Sequence, residues 1–393
     1  MNLAENANQY FLNVYKRFPF AVEKGEGVYL YDKKGKKYLD FLSGIAVNAL
    51  GYQHPEIELA ILKQLKRNLH LSNYFSQDVQ IELAKRLLQL TGYSRVFFTN
   101  SGAEAIEGLL KISKKWGNQN GKSEIIALKG SFHGRTAGAL SITMQDKYQK
   151  QFLPLLSNCK AIPANDVNAL RKVVNDKTLA VFYEGIMGEG GVRPLSRDFL
   201  DAMYALREQY HFLIFADEIQ TGVGRTAYFY YFQKDGYQPD GFATAKGLGG
   251  GLPLGAFVVS EKLANLFTLG DHGTTYGGNP LACATGLATV NHISTDAFLN
   301  HVKGTGQFFL EELQSFATRY PETIVEARGY GLMLGLEVKE KAGQMMFEAA
   351  RQGLLINIAG GNTLRFVPPL IIEKIHVTEA MEKLDRTFQK VFG

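Results

Sequence analysis

Cysteine is scarce: only Cys159 and Cys283 occur in 393 residues, too few for a disulfide framework. The opening residues Met1-Asn2-Leu3-Ala4-Glu5-Asn6 lack a basic region followed by an apolar one, so a reduced, cytoplasmic location is expected. No apolar stretch approaches the roughly 20 residues that a membrane-crossing helix needs. The net charge of +5 contains no basic run. That argues against nucleic acid and leaves at most a weak preference for anionic small substrates. No two of the eight histidines stand at metal-ligand spacing with a carboxylate, so no metal is expected. Two phosphate motifs fail, one on spacing and context and the other on context alone. Gly121-Lys122-Ser123 has Trp116 where a P-loop needs its first glycine, and it precedes a strand instead of following one. Gly222-Val223-Gly224-Arg225-Thr226-Ala227 does follow a strand. Tyr228-Phe229-Tyr230-Tyr231-Phe232 beyond it is a poor helix start, so a nicotinamide enzyme remains only an alternative.

What is present describes an ordinary globular enzyme, with 46% hydrophobic and 21% charged residues and enough length for a large domain with a smaller companion. The chain is organised around His211 to Gly255. His211-Phe212-Leu213-Ile214-Phe215-Ala216 has the apolar density of a strand buried on both faces, and Asp217-Glu218 follow at once. Gly241-Phe242-Ala243-Thr244-Ala245 reads as a second strand, ending in Lys246 and Gly247-Leu248-Gly249-Gly250-Gly251. A carboxylate and a lysine at the carboxyl ends of neighbouring strands occupy the edge where open α/β sheets bind ligands. Either alone is commonly just the solvated end of a strand. Together they suit pyridoxal phosphate (PLP), which needs a lysine amine for its Schiff base and a carboxylate to keep its ring nitrogen protonated.

The rest of the chain supplies complementary parts. Lys34-Gly35 lies between aromatic-rich runs that read as a hairpin, and helices are expected from Gly51 to about Leu69 and from about Asp78 to Leu90. Arg95-Val96-Phe97-Phe98-Thr99 reads as a strand turning through Asn100-Ser101-Gly102 into a helix, which makes either an anion site or a simple cap. After the strand Glu124–Leu128 come Phe132, able to stack on a ring, His133, read as a satisfied structural histidine, and Arg135, able to take a carboxylate. Thr178 to Tyr183 is a further strand, ending at Glu184. The loop Gly270 to Pro280 offers the hydroxyls of Thr274 and Thr275 to a phosphate. Alternating strands and helices indicate a mainly parallel sheet. From about Asp296 a long helix, short strands and a final helix read as a smaller α+β domain that includes the N-terminal segment. The divisions expected are residues 1–50, 51–295 and 296–393.

With these pieces in hand, the sequence closely resembles the class III PLP-dependent aminotransferases. The most specific stretches are Asp217-Glu218-Ile219-Gln220-Thr221-Gly222, Ala245-Lys246-Gly247-Leu248-Gly249-Gly250-Gly251 and His272-Gly273-Thr274-Thr275-Tyr276-Gly277-Gly278-Asn279-Pro280-Leu281. Chain length and Arg17-Phe18-Pro19 look most like the branch that acts on N-acetylornithine. The resemblance implies fold type I, with a mainly parallel seven-stranded sheet in the large domain, and a homodimer with active sites at the subunit interface. It implies that Lys246 carries PLP and moves the substrate proton, that Asp217 pairs with the ring nitrogen and that Gln220 reaches the ring hydroxyl. Phe132 would stack on the ring, Gly102 and Ala103 would give phosphate amides, and Thr275 would reach the phosphate in the neighbouring subunit. Arg365 and Arg135 are implied to hold substrate carboxylates, Glu189 to neutralise Arg365 when the substrate has only one, and Thr274 to touch the amino donor. The activity expected is transfer of the terminal amine of N-acetylornithine to 2-oxoglutarate, as in arginine biosynthesis. Ornithine or 4-aminobutyrate as donor stays open, as does a PLP racemase or decarboxylase. The chain departs from its relatives in reading Tyr183-Glu184-Gly185-Ile186-Met187-Gly188 for Val-Glu-Pro-Ile-Gln-Gly, Ile106 for asparagine and Tyr52 for histidine.

Overall fold

The computed structural model describes residues 3–393. Met1 and Asn2, which begin the stretch read above for a leader, lie outside the described residues. Seven strands form the central sheet, in the spatial order Arg95–Thr99, Gly255–Val259, Gly241–Thr244, Leu213–Asp217, Thr178–Tyr183, Glu124–Leu128 and Cys159–Ile162. Gly255–Val259 runs antiparallel to both its neighbours, and the other pairs are parallel.

The two-residue period of each strand divides the core between the two faces of the sheet. Leu213 and Phe215 join Ala180, Phe182, Ala127 and Phe257 in one cluster, which is covered by Ala105, Ile106 and Leu109 of the helix Gly102–Asn120. Ile214 and Ala216 face the other way with Val181 and Val258, under Phe199 and Met203 of the helix Arg197–Tyr210. Both faces being dry is why the strand sequences are continuously apolar instead of alternating. Ile106, where the resemblance leads one to expect asparagine, is fully buried in the first of these layers.

A second sheet, antiparallel, takes Ile324–Tyr330, Met333–Val338, Thr363–Phe366 and Asn357–Ala359 in that order. The N-terminal hairpin pairs Tyr29–Asp32 with Lys37–Asp40, and the short strand Leu354–Leu355 adds to it in parallel. Chain from near both termini thus shares one sheet. The expected helix from Gly51 to about Leu69 is shorter, Pro55–Leu65. Proline suits the first helical position. The Gln64 carbonyl takes the amides of both Arg67 and Asn68 while its side chain folds onto Asn68, so the ladder closes early. Among the described residues no helix is long and apolar enough to cross a membrane.

Candidate active site

Because most strands of the large sheet are parallel, their carboxyl ends meet on one edge. Around a cavity of about 510 Å³ that edge gathers Asn100 to Ala103, Phe132 to Arg135, Glu184, Asp217, Gln220 and Lys246, with Glu189 reaching in from the hairpin beyond Glu184. Ser101 caps the helix Gly102–Asn120 through its hydroxyl, which accepts from the Glu104 amide. The cap and anion-site readings are therefore compatible. The amides of Gly102 and Ala103 belong to the first helical turn, which has no partner in the helix's own ladder. A Cβ on Gly102 would stand 2.6 Å from Ile219 Cδ1, so only glycine lets the turn approach so closely.

Asp217 is buried at the end of its strand. His133 Nδ1 donates to its Oδ2 at 2.7 Å and the Ile219 amide to its Oδ1 at 3.0 Å. Burial alone would lower the His133 pKa, but the hydrogen bond and the charges of Asp217 and Glu184 outweigh it and leave it raised. Glu184 accepts from the Phe132 amide at 2.8 Å and the Gly188 amide at 3.0 Å. Burial, reinforced by Asp217, pushes its pKa up to about 7, although His133 pulls the other way. Sequence reasoning gave neither His133 nor Glu184 a place in the site. The signal for Glu184 was its position at the end of an apolar strand, the same one that singled out Asp217.

Lys246 follows the strand Gly241–Thr244 with φ of 47°, and its pKa is lowered. Burial is the main cause and Arg365 adds to it, against the opposing pull of Asp217, Glu189 and Glu184. Arg365 is 1% exposed. It forms an ion pair with Glu189 at 2.5 Å and donates to Gln220 Oε1 at 3.1 Å and to Asn357 Oδ1 at 3.1 Å. Arg135 lies at the cavity mouth, with its guanidinium 3.7 Å from the Tyr148 ring centre and 5.3 Å from that of Phe132. Thr274 and Thr275 are not in this cavity. They line another, of about 870 Å³, with Tyr74, Phe97 and Gly270.

An amine of lowered pKa, a buried carboxylate, an aromatic wall and helix amides around one cavity form a donor set that fits PLP. Residues 10–388 match the family described as aminotransferase class III. The chain belongs to the class III aminotransferases. It is 43% identical over 387 residues to an acetylornithine aminotransferase of Caldanaerobacter subterraneus, covering 98% of both chains. It is 41% identical to one of Methanocaldococcus jannaschii, over 99% of this chain and 98% of that protein. An ornithine aminotransferase of Toxoplasma gondii superposes with a TM-score of 0.94 at 28% identity, covering 99% of this chain and 94% of the other. An N-acetylornithine aminotransferase of Stenotrophomonas maltophilia gives 0.85 at 30%, over 98% of each. The protein is thus a PLP-dependent aminotransferase of fold type I.

The departures expected from the resemblance are taken up by packing. Gly185, where the family resemblance leads one to expect proline, has no room for a Cβ, because the Tyr231 ring occupies the space that one would fill. Met187, where the resemblance leads one to expect glutamine, is buried against Gly130 and Gly190. Tyr52 donates its hydroxyl to buried Asp40 at 2.5 Å, and Asp40 also accepts the amides of Leu42 and Ser43. None of these three residues lines the Lys246 cavity.

Proposed function

We propose that this aminotransferase moves the terminal amine of N-acetylornithine to 2-oxoglutarate, giving N-acetylglutamate semialdehyde and glutamate, a step of arginine biosynthesis. The observation that carries the proposal is the Arg365–Glu189 pair, whose glutamate lines the Lys246 cavity and both of whose charges act on Lys246. A guanidinium this buried is costly without a partner. Glu189 supplies one while a monocarboxylate donor is bound and can yield it to a dicarboxylate. Relatives called acetylornithine aminotransferase, 41% and 43% identical along nearly the whole chain, support the choice of donor.

Bound PLP supplies an electron-withdrawing ring that makes the substrate carbon acidic. Lys246 and Asp217 are the catalytic residues. Lys246 would hold the cofactor and then move a proton at its Nζ, a task suited to an amine whose pKa burial has lowered. Asp217, kept in place by His133, would hold the ring nitrogen, Gln220 the ring hydroxyl and Phe132 one ring face. The amides of Gly102 and Ala103 would hold the phosphate. Arg365 takes the α-carboxylate of 2-oxoglutarate or glutamate, and Arg135 takes the distal carboxylate or the α-carboxylate of N-acetylornithine.

Thr275 would serve the phosphate in the partner subunit and Thr274 the amino donor, in a homodimer. Exposed Leu69, Tyr74, Phe75, Leu269 and Tyr276 near that loop support such an interface, since large apolar patches are otherwise rare on a surface. The divisions at residues 50 and 295 and a cytoplasmic location belong to the same proposal, the latter supported by free Cys159 and Cys283. Steady-state comparison of donors tests the substrate. N-acetylornithine is expected to exceed ornithine and 4-aminobutyrate in kcat/KM by about tenfold or more, a margin that one recognised polar group can supply. A preference for either competitor would move the assignment to that donor.

A further inference from the structure

The small-sheet strand that bears Arg365 also organises a second arginine. Cross-strand register places Arg328 opposite Gly335, Gly335 opposite Arg365, and Arg365 opposite Asn357. Residues directly opposite one another share a face of the sheet, so the four form one row. Onto this row docks the loop Glu189–Val192, the connection of the hairpin Ile186–Met187/Arg193–Pro194. Arg365 takes the Glu189 carboxylate. Gly335 leaves room for Val192, whose Cβ would stand 3.0 Å from any Cβ on the glycine. The Gly360 amide donates to the Glu189 carbonyl at 2.9 Å.

Arg328 completes the dock. Its Nε donates to the Gly191 carbonyl at 3.1 Å and the Val192 carbonyl at 3.2 Å, and its Nη2 to Gly191 again at 2.6 Å and to Thr363 Oγ1 at 3.1 Å. Its Nη1 pairs with Glu326 and Glu337. The side chain is only 10% exposed. The carbonyls it grips belong to Gly191, with φ of 99°, and Val192, with φ of 54°. The second is a conformation that a β-branched residue keeps only when its surroundings impose it. Thr363 lies two residues before Arg365 on the same strand. One planar guanidinium therefore ties the strand bearing Arg365 to the loop bearing Glu189, a task that a lysine's point charge cannot reproduce.

We propose that Arg328 is a positioning residue for the Glu189–Arg365 pair, a strut that sets how readily Glu189 gives up Arg365 to a dicarboxylate partner. The proposal rests on Glu189 acting as the interchangeable counter-ion described above. With the strut intact, Glu189 is held on Arg365 and a monocarboxylate donor meets a neutralised site. Without it the loop relaxes, Glu189 covers Arg365 less well, and the donor half of the exchange suffers while the dicarboxylate half does not.

The test uses PLP-loaded enzyme in single-turnover half-reactions, with glutarate, an unreactive dicarboxylate, titrated by calorimetry. Arg328→Gln is expected to slow the N-acetylornithine half about tenfold, the effect of losing a charged hydrogen bond, and to change the 2-oxoglutarate half by less than about threefold. Glutarate should bind at least as tightly as to the wild type. Arg328→Lys should fall between the two, and Thr363→Val, which removes one bond, should shift the same ratio less. If Arg328→Gln fails to fold, Thr363→Val decides alone. Equal losses in both halves with weakened glutarate, or no change in their ratio, would overturn the strut. Glu189→Gln separates the layers. If it moves the ratio and the Arg328 and Thr363 variants do not, the strut is wrong and the counter-ion reading stands. If it leaves the ratio unmoved, the counter-ion reading falls and takes the strut with it.

Discussion

Lys246→Ala is expected to lower steady-state transamination by about 10⁴-fold, the upper range for removing a positioned proton-transfer group. The protein should remain folded. Lys246 follows a buried strand, and Asp217, Glu189 and Glu184, whose charges act on it, each keep other partners when alanine replaces it. Losing a buried amine of lowered pKa even removes a desolvation cost, so the thermal stability of the cofactor-free protein should hold or rise slightly. Turnover by N-acetylornithine with 2-oxoglutarate, measured beside a melting curve, checks both halves of this expectation. Full activity in the alanine variant would show that the lysine is not the group that moves the proton.

Asp217→Asn carries the second largest effect, a loss of about 10² to 10³-fold, the scale found for removing one preorganised electrostatic partner from a site. Asparagine keeps the shape and can still accept from the Ile219 amide or His133, but it has no negative charge to hold a protonated ring nitrogen. The same change removes the charge of Asp217, the larger part of what raises the His133 pKa, and leaves only Glu184 to oppose burial. Burial then dominates, and the imidazole should lose its proton at lower pH than in the wild type. His133 NMR titration in the two proteins reads this shift independently of turnover. A variant with wild-type turnover and an unmoved imidazole would contradict the role given to Asp217.

Much of this was legible in the sequence for physical reasons. A strand buried on both faces is a continuous apolar run, so its end is marked sharply, and Asp217 and Lys246 stand at or just past two such ends. Glu184 stands at a third, yet a carboxylate beyond a strand is ordinary until its neighbours are known. Its importance comes from His133 and Asp217, which approach it only once the parallel sheet forms. His133 itself reads as a packing residue because nothing local reveals the carboxylate it meets. Thr274 and Thr275 look like phosphate ligands in sequence but line a different cavity of the single chain. The row of Arg328, Gly335 and Arg365 is invisible in linear order, since cross-strand register alone makes neighbours of residues so far apart. Gly185 shows the same limit in packing, because its reason is the ring of Tyr231, far along the chain.

The most direct measurement of the central proposal adds N-acetylornithine to the purified, PLP-loaded protein without 2-oxoglutarate and follows the visible absorption of the bound cofactor. The visible band is expected to disappear with the donor alone and to return when 2-oxoglutarate is added, so that each half of the exchange is seen separately. A band unmoved by N-acetylornithine but lost with ornithine or 4-aminobutyrate would contradict the proposed donor, and a band unmoved by all three would contradict the exchange itself.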